Sequence, residues 1–156
     1  MSAQVLPGFA EAEWQVRTSA DRAAVALADR HYSRNAPGAR QMAPPGRRYV
    51  FVIGNEQAVW CSHWPYPELA LDGLDSWRCT IFRNESARLS SDLILEAMSL
   101  TAQLWDERPR DGWVTWIDPA KVASEHPGYC FKMAGWRLDR EWKHPKLIRL
   151  RAEVPA

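Results

Sequence analysis

Residues 127–136 read Pro-Gly-Tyr-Cys-Phe-Lys-Met-Ala-Gly-Trp, and they give the clearest indication of how the C-terminal half of the 156-residue chain folds. Pro127-Gly128 breaks one helical segment, and the aromatic run after it resumes the helix. Gly135 is suited to the left-handed stop of that helix. Strands are predicted on either side, over 112–117 and over 136–142. Strands separated by helices usually run parallel in one sheet, joined by right-handed crossovers.

Helices are predicted elsewhere from start signals and apolar spacing. Ser90 or Ser91 is expected to cap the clearest of them. Its apolar stripe recurs at helical spacing and comprises Leu93, Ile94, Ala97, Thr101 and Leu104. An Ala-rich helix is predicted over 20–30, after start signals that include Asp21. Asp118 and Pro119 occupy the N-cap and the first position of another predicted helix.

The remaining segments predict strands. They are rich in aromatic and β-branched residues and cover 13–17, 49–53, 58–64, 77–82 and 147–151. Gly54-Asn55 marks a hairpin turn between two of them. The predicted order is therefore β-α-β-β-β-α-β-α-β-β, and the N-terminal hairpins must be antiparallel. We expect one α/β domain over 1–156, built on a mixed sheet.

The charge of the chain is unevenly distributed. The formal net charge is only +1, which is too small for a whole-protein field that gathers nucleic acid. From residue 30 to residue 55, however, there is no Asp or Glu, and five arginines fall there: Arg30, Arg34, Arg40, Arg47 and Arg48. A local basic patch of this kind can bind DNA phosphates.

Cysteine usage and hydropathy indicate a cytoplasmic protein without a membrane partner. The three cysteines are widely spaced and form no disulfide framework. The N-terminal segment lacks a secretory pattern, and no apolar run approaches the roughly 20 residues of a membrane span. Nine tryptophans exceed what a small core needs, so one or two are expected to line a groove or pocket.

The element order resembles that of the GNAT superfamily of N-acetyltransferases, over nearly the whole chain. Residues 127–136 look like that family's aromatic helix, which ends in a Gly-aromatic step into the next strand. The resemblance implies a mixed, mostly antiparallel central sheet with helices on both faces, in an enzyme that transfers acyl groups to amines. It also implies that the donor's pyrophosphate lies on the turn after the fourth strand.

That turn departs from the family pattern. The family's turn is Gly-rich, so that backbone amides can cradle phosphates, whereas residues 83–91 contain no glycine. This argues against acetyl-coenzyme A as the donor. Arg83 and Arg88, with Ser90 and Ser91 at the helix start, remain candidates for holding an anionic donor through side-chain contacts.

A narrower resemblance rests on His31-Tyr32-Ser33-Arg34, Phe82-Arg83-Asn84, Asp118 and Pro127-Gly128-Tyr129. In this order they look like the motif set of the phage Mom proteins, GNAT-like enzymes that place a carbamoylmethyl group on the N6 amine of adenine and protect phage DNA from restriction. The resemblance implies DNA as partner and the cytoplasm of an infected bacterium as location. It assigns function to His31, Tyr32, Arg83, Asp118 and Tyr129.

Chemistry on this amine needs particular groups. Its lone pair is delocalised into the ring, so an enzyme must position it, exclude water and remove a proton. His31 is the candidate base. Asp118 could orient His31, accept from the amine, or hold a metal ion together with His31. Tyr32 and Tyr129 could stack on a base flipped out of the duplex or donate protons. Arg34, Arg40, Arg47 and Arg48 would grip backbone phosphates.

Structural interpretations of the same residues stay open. His31 could stabilise a helix dipole, Asp118 could only cap a helix, Tyr129 could belong to the core, and the arginines could form a solvated surface. Cys61 and His63 form a Cys-x-His pair that we expect to be ordinary strand side chains.

Two other functions also stay open at this point. One is a GNAT-type N-acyltransferase that acts on a small-molecule or protein amine. The other is a DNA-binding phage protein without catalysis. The residues do not identify the group donor, because simple acyl transfer does not deliver a carbamoylmethyl group, and the metal requirement and oligomeric state are likewise open.

Overall fold

A computed structural model describes residues 12–31, 38–122 and 125–155. Its strands are β1 Trp14–Arg17, β2 Gly46–Ile53, β3 Ala58–Pro65, β4 Trp77–Asn84, β5 Trp113–Ile117, β6 Arg137–Leu138 and β7 Ile148–Ala152. Its helices are α1 Arg22–Asp29, α2 Ser90–Leu104 and α3 Tyr129–Met133, with a 3₁₀ turn at Pro67–Leu69. This element order confirms the predicted one.

All seven strands lie in one sheet, in the order β1-β2-β3-β4-β5-β7-β6. Neighbouring strands are antiparallel except β4 and β5, which run parallel and are joined through α2. The parallel pair follows from the physics of the connection, because a crossover through a helix returns the chain in the same direction. A mixed, mostly antiparallel α/β sheet is thus confirmed.

Buried side chains of the sheet divide into two main apolar clusters. Val50 and Val52 of β2 pack in one cluster with Leu27 of α1. Phe51, between them in sequence, packs in the other cluster with Ile94 of α2. Because successive side chains of a strand point to opposite faces, the two clusters occupy opposite sides of β2.

The apolar cluster that contains Phe51 and Ile94 lies on the α2 side of the sheet and is dominated by tryptophan. Six of the nine are buried there: Trp60, Trp64, Trp77, Trp105, Trp113 and Trp136. Trp77 packs edge-on against Trp64 and Trp113, with ring centroids 5.7 and 5.4 Å apart. The cluster encloses a short polar chain, in which Trp60 Nε1 donates to Ser62 Oγ at 2.7 Å and Ser62 Oγ lies 2.7 Å from Thr101 Oγ1. These packed rings fix β3, β4 and β5 beneath α2.

Helix starts confirm one prediction and correct others. Asp21 caps α1, since its Oδ1 accepts from Ala24 N at 3.0 Å. The predicted cap at Ser90 or Ser91 is wrong: Leu89 precedes the first turn of α2 and makes no side-chain cap bond. The Ser90 hydroxyl instead accepts from Asn84 Nδ2 at 3.0 Å.

Two predicted boundaries were also wrong near the C-terminus. No helix begins at Pro119, because Asp118 closes a turn in which its Oδ1 accepts from Ala120 N at 3.0 Å. The strand expected over 136–142 is limited to Arg137–Leu138. It ends where Asp139 turns the chain by accepting from Glu141 N at 3.1 Å.

Candidate functional site

The parallel strands β4 and β5 separate and leave a cavity between them. Their ladder joins Trp77 to Trp113 and Arg78 to Val114, at the start of both strands. The next link is a side-chain bond, from Thr115 Oγ1 to the carbonyl of Cys79 at 2.9 Å. Toward their carboxyl ends the strands enclose a cavity of about 180 Å³. Open α/β sheets place ligands at this end of parallel strands.

A β-bulge shapes one wall of this cavity. Opposite the Cys61–Ser62 step of β3, the pairing on β4 moves from Ile81 to Cys79 and leaves Thr80 as the extra residue. Thr80 lines the cavity. Bulges bend a strand and redirect side chains, and they are frequent beside active sites.

The cavity walls combine rings with a few polar groups. They comprise His31; Cys79, Thr80 and Phe82 of β4; Thr115, Trp116 and Ile117 of β5; and Val122, Gly128, Cys130 and Phe131. The volume is below the roughly 300–1,000 Å³ typical of sites for drug-sized ligands, so the cavity suits one planar ring or a small group.

Two threonine hydroxyls of the cavity act as hydrogen-bond acceptors toward a ligand, while Trp116 contributes an indole N–H donor to the same wall. Thr80 Oγ1 donates its proton to Met42 O and Thr115 Oγ1 donates to Cys79 O, each at 2.9 Å. Both oxygens therefore retain acceptor capacity but no donor. A ligand that offers N–H groups matches this arrangement.

His31 follows Arg30, the C-cap of α1, and its backbone N–H donates to Ala28 O at 2.9 Å. Burial, and secondly the cation of Arg83, lower the pKa of His31 to about 4. The imidazole is therefore neutral at physiological pH and has acceptor capacity. A neutral ring cannot stabilise the helix dipole as a cation, which argues against that interpretation of His31.

Arg83 belongs to a charge cluster at the His31 side of the cavity. Its guanidinium Nε pairs with Glu85 Oε2, and its NH1 donates to the carbonyl of Arg30 at 2.9 Å. Arg30 pairs with the same carboxylate at 2.6 Å. Both guanidinium groups lower the pKa of Glu85 to about 2. Two cations thus share one anion beside His31.

Asp118 and Tyr129 border the cavity without lining it. Asp118 follows the lining residue Ile117, and its Oδ1 is held by the turn to Ala120. Tyr129 lies between the lining residues Gly128 and Cys130, and its side chain is 57% exposed. Its ring centroid is 6.5 Å from that of His126. Tyr129 is therefore a rim residue rather than a core aromatic.

Gly128 forms the floor of the cavity and has a left-handed φ of +78°. A methyl group at this position would lie 2.7 Å from Leu150 Cδ1 and 2.8 Å from Ile117 Cδ1. The Pro-Gly break found in the sequence therefore has a conformational reason, the left-handed φ, and a packing reason, since an added methyl would displace the terminal methyls of two buried side chains of β5 and β7.

The other candidates for anion binding have structural partners. Arg88 donates to Ala12 O at 2.8 Å and pairs with Glu96 at 2.7 Å. Ser91 is a buried residue of the first turn of α2. Among the anion candidates, Arg83 is the one that interacts electrostatically with the cavity residue His31.

Two of the predicted phosphate-binding arginines, Arg47 and Arg48, point to opposite faces of β2. Arg47 stacks over the ring of Trp64 at 4.0 Å, whereas NH1 of the next residue, Arg48, donates to Ala43 O at 3.3 Å. Consecutive strand residues point to opposite faces, so these two cannot form one patch. Arg40 is exposed. Tyr32 and Arg34 lie outside the described residues.

Cys61 and His63 are buried on β3. Burial raises the pKa of the Cys61 thiol to about 11, and burial lowers the pKa of His63. Across 12–31, 38–122 and 125–155, no three His, Cys, Asp or Glu side chains are grouped so that they could hold a metal ion. Among these residues the pair His31 and Asp118 thus has no third ligand.

Several site residues were missed by reasoning from sequence. In the sequence, Cys79 and Thr115 have only the pattern of strand residues, and Cys130 has only that of a helix residue. Burial raises the pKa of both Cys79 and Cys130, which keeps the two thiols protonated. Trp116 is one of the pocket-lining tryptophans expected from composition, although its position was not predicted.

A second missed feature is the basic segment 137–151. It contains six Lys or Arg residues and two Asp or Glu residues, in a chain whose net charge is only +1. This local excess of positive charge can be read from the sequence alone, as can the acid-free stretch 30–55.

Comparison with known proteins adds no relative: no protein-family model, no curated protein and no solved structure matches the chain. Within the described ranges, no helix is both long enough and apolar enough to cross a membrane.

Proposed function

We propose that this chain is a DNA-modifying transferase that adds a small acyl or carbamoylmethyl-type group to the N6 amine of adenine. The observation that carries the proposal is the acceptor set of the cavity between β4 and β5. An exocyclic amine offers two N–H groups, and His31, Thr80 and Thr115 supply acceptors for them. Phe82, Phe131 and Trp116 supply the apolar walls that a flipped base needs.

His31 serves as the proton acceptor in this proposal. The N6 lone pair attacks the electrophilic carbon of the donor, the leaving group departs with its electron pair, and the N6 proton passes to the His31 imidazole. A nitrogen that carries both the ring and a new substituent becomes strongly acidic as the bond forms. A neutral imidazole whose pKa is about 4 can therefore accept its proton.

The charge cluster beside His31 suits an anionic donor. A phosphate or carboxylate of the donor would replace Glu85 as the partner of Arg83 and Arg30. Such an exchange would keep the charges of the cluster balanced while bringing the donor to the mouth of the cavity. The donor itself is defined here only as an anionic molecule with an electrophilic carbon.

The arrangement of the helices on the sheet supports the GNAT-like part of the proposal. α1 packs on one apolar cluster of the sheet, while α2 and α3 contribute to the other, which is the arrangement expected of helices on both faces. Arg83 at the end of β4 and Glu85 at the start of the following turn, which is expected to hold the donor, lie beside His31. An anti-restriction role on phage DNA in the bacterial cytoplasm is part of the same proposal.

Nucleoside mass spectrometry of DNA tests this function. DNA would be taken from bacteria that express the wild-type chain, His31→Gln, Asp118→Asn, or the exposed control Arg22→Ala. We expect a new modified deoxyadenosine with the wild type and the control, and a loss of about 100-fold or more with His31→Gln. Asp118→Asn retains the turn acceptor, so its effect separates a chemical role of the carboxylate from the turn.

Each other outcome has a defined meaning. An adduct on a different base would show that adenine is not the substrate, while the assignment as a DNA-modifying transferase would stand. Unmodified DNA from cells that contain abundant folded protein, together with unmodified DNA after incubation of purified protein with cell extract, would overturn the proposal.

A further inference from the structure

A row of rings leads from the cavity to the protein surface. Trp116, in the cavity wall, contacts Trp142 with ring centroids 6.1 Å apart. The imidazole of His144 lies parallel to Trp142, at 5.8 Å and an interplanar angle of 7°. The guanidinium of Arg149 also packs on Trp142, 4.6 Å from the ring centroid. The row ends at the exposed ring of His144.

The His144 ring is held in a fixed orientation. Its Nδ1 accepts from the backbone N–H groups of Lys146 and Leu147, both at 3.0 Å. A ring that is already positioned loses little conformational entropy when a planar ligand stacks on it. His144 is therefore a preorganised stacking surface at the end of the row.

Positive charge surrounds this surface. Arg149 is committed to a buried ion pair with Asp139 at 2.6 Å, so it acts as structural support. Arg140, Lys143 and His144 line a groove of about 690 Å³, and Lys146, two residues after His144, is exposed at its edge. These side chains give the basic segment 137–151 an accessible edge beside the stacking ring.

We propose that this groove binds a single-stranded stretch of DNA that flanks the target adenine. One neighbouring base stacks on His144, and the adjoining phosphates pair with Lys143 and Lys146. Unpaired strands bind in this way, through stacked rings and a positively charged track, whereas the bases of a duplex have no free faces. The inference rests on the proposed function for its target base, and it adds the strandedness and the path of the substrate.

Binding by purified full-length protein tests the inference. Fluorescence anisotropy would compare a single-stranded oligonucleotide with the duplex of the same sequence over a series of salt concentrations. We expect tighter binding of the single strand. The double variant Lys143→Ala/Lys146→Ala should lower the slope of log affinity against log salt by about 1.4, since each phosphate contact contributes roughly 0.7. His144→Asn keeps a turn acceptor but removes the ring, and should weaken binding roughly tenfold.

Arg22→Ala is the matched charge control, because Arg22 is exposed on α1. Equal affinities of the wild type, the double variant and His144→Asn would overturn the inference, as would a preference for the duplex. The adenine assay is read separately. If adenine is modified but the groove variants bind DNA as tightly as the wild type, the groove proposal is wrong and the transferase proposal stands. If DNA binding depends on the groove but no adenine is modified, the transferase proposal is wrong and the groove proposal stands.

Discussion

At the scale of single residues, His31 links the cavity to the acid–base behaviour of the fold. Its pKa is about 4 in the folded chain against 6.5 as the ordinary value. Between these two pH values the unfolded chain binds a proton that the folded chain does not. The contribution to stability is therefore complete above pH 6.5, and it is lost as the pH falls toward 4.

His31→Gln should remove this pH dependence. The loss in the wild type is at most about 3 kcal/mol, since each pKa unit corresponds to about 1.36 kcal/mol, and partial exposure of the ring reduces it. Urea unfolding between pH 7 and pH 4.5 measures the free energy of unfolding of both chains. The wild type should lose more stability on acidification than the variant. Parallel losses would contradict the buried, neutral state of His31, because His63 is common to both chains.

Arg83 tunes the same imidazole. Because its cation lowers the pKa of His31, Arg83→Gln should raise that pKa, while burial keeps it below 6.5. An NMR titration of the histidine ring protons measures the change, and Arg22→Gln serves as a remote control. A His31 pKa that is unchanged or lower in Arg83→Gln would show that the two side chains are not coupled.

At the scale of elements, the start of α3 depends on a glycine that touches two strands. Gly128→Ala combines a left-handed φ with contacts below 3 Å to Leu150 and Ile117. Gly135→Ala is the matched control, because its φ is also positive but nothing lies within 4 Å of the added methyl. The control should lose roughly 1–2 kcal/mol from strain, and Gly128→Ala roughly 1–3 kcal/mol more from overpacking.

Chemical denaturation of the two glycine variants measures this difference. Equal free energies of unfolding of the two variants would mean that the side chains around Gly128 move aside without loss of stability. The Pro-Gly break would then have no steric reason. Near-ultraviolet circular dichroism gives a second measurement, because Phe131, three residues after Gly128, packs against Trp136 with ring centroids 5.0 Å apart.

At the scale of the whole molecule, the order of elements could be predicted because its signals are local. Asp21, the α2 stripe and Gly135 each act within a few residues of their own position. The cavity could not be predicted, because it exists only where β4 and β5 stop pairing and where Thr80 is bulged out of the ladder. Cys79 and Cys130 are far apart in sequence, so nothing local indicates that they share a wall.

The same distinction explains the errors in the predicted boundaries. Asp118-Pro119 has the residue types of a helix start, but the described chain from Asp118 to Val122 forms a turn beside the cavity. Ser90 has the residue type of a cap, but Asn84 from the end of β4 uses its hydroxyl. In both places the local structure is determined by a contact with a distant residue or by the geometry of the site, because local propensity alone allows more than one structure.

In the proposed function, an adenine of DNA enters the cavity between β4 and β5. The most direct test is photo-crosslinking of an oligonucleotide that carries a photoreactive azidoadenine, followed by mass spectrometry of the labelled peptides. We expect labels on peptides that contain Trp116, Cys130 or Phe131, and we expect these labels to be lost when unlabelled adenine oligonucleotide competes. Labels confined to peptides remote from the cavity, such as the one that contains Arg47 and Arg48, would contradict it.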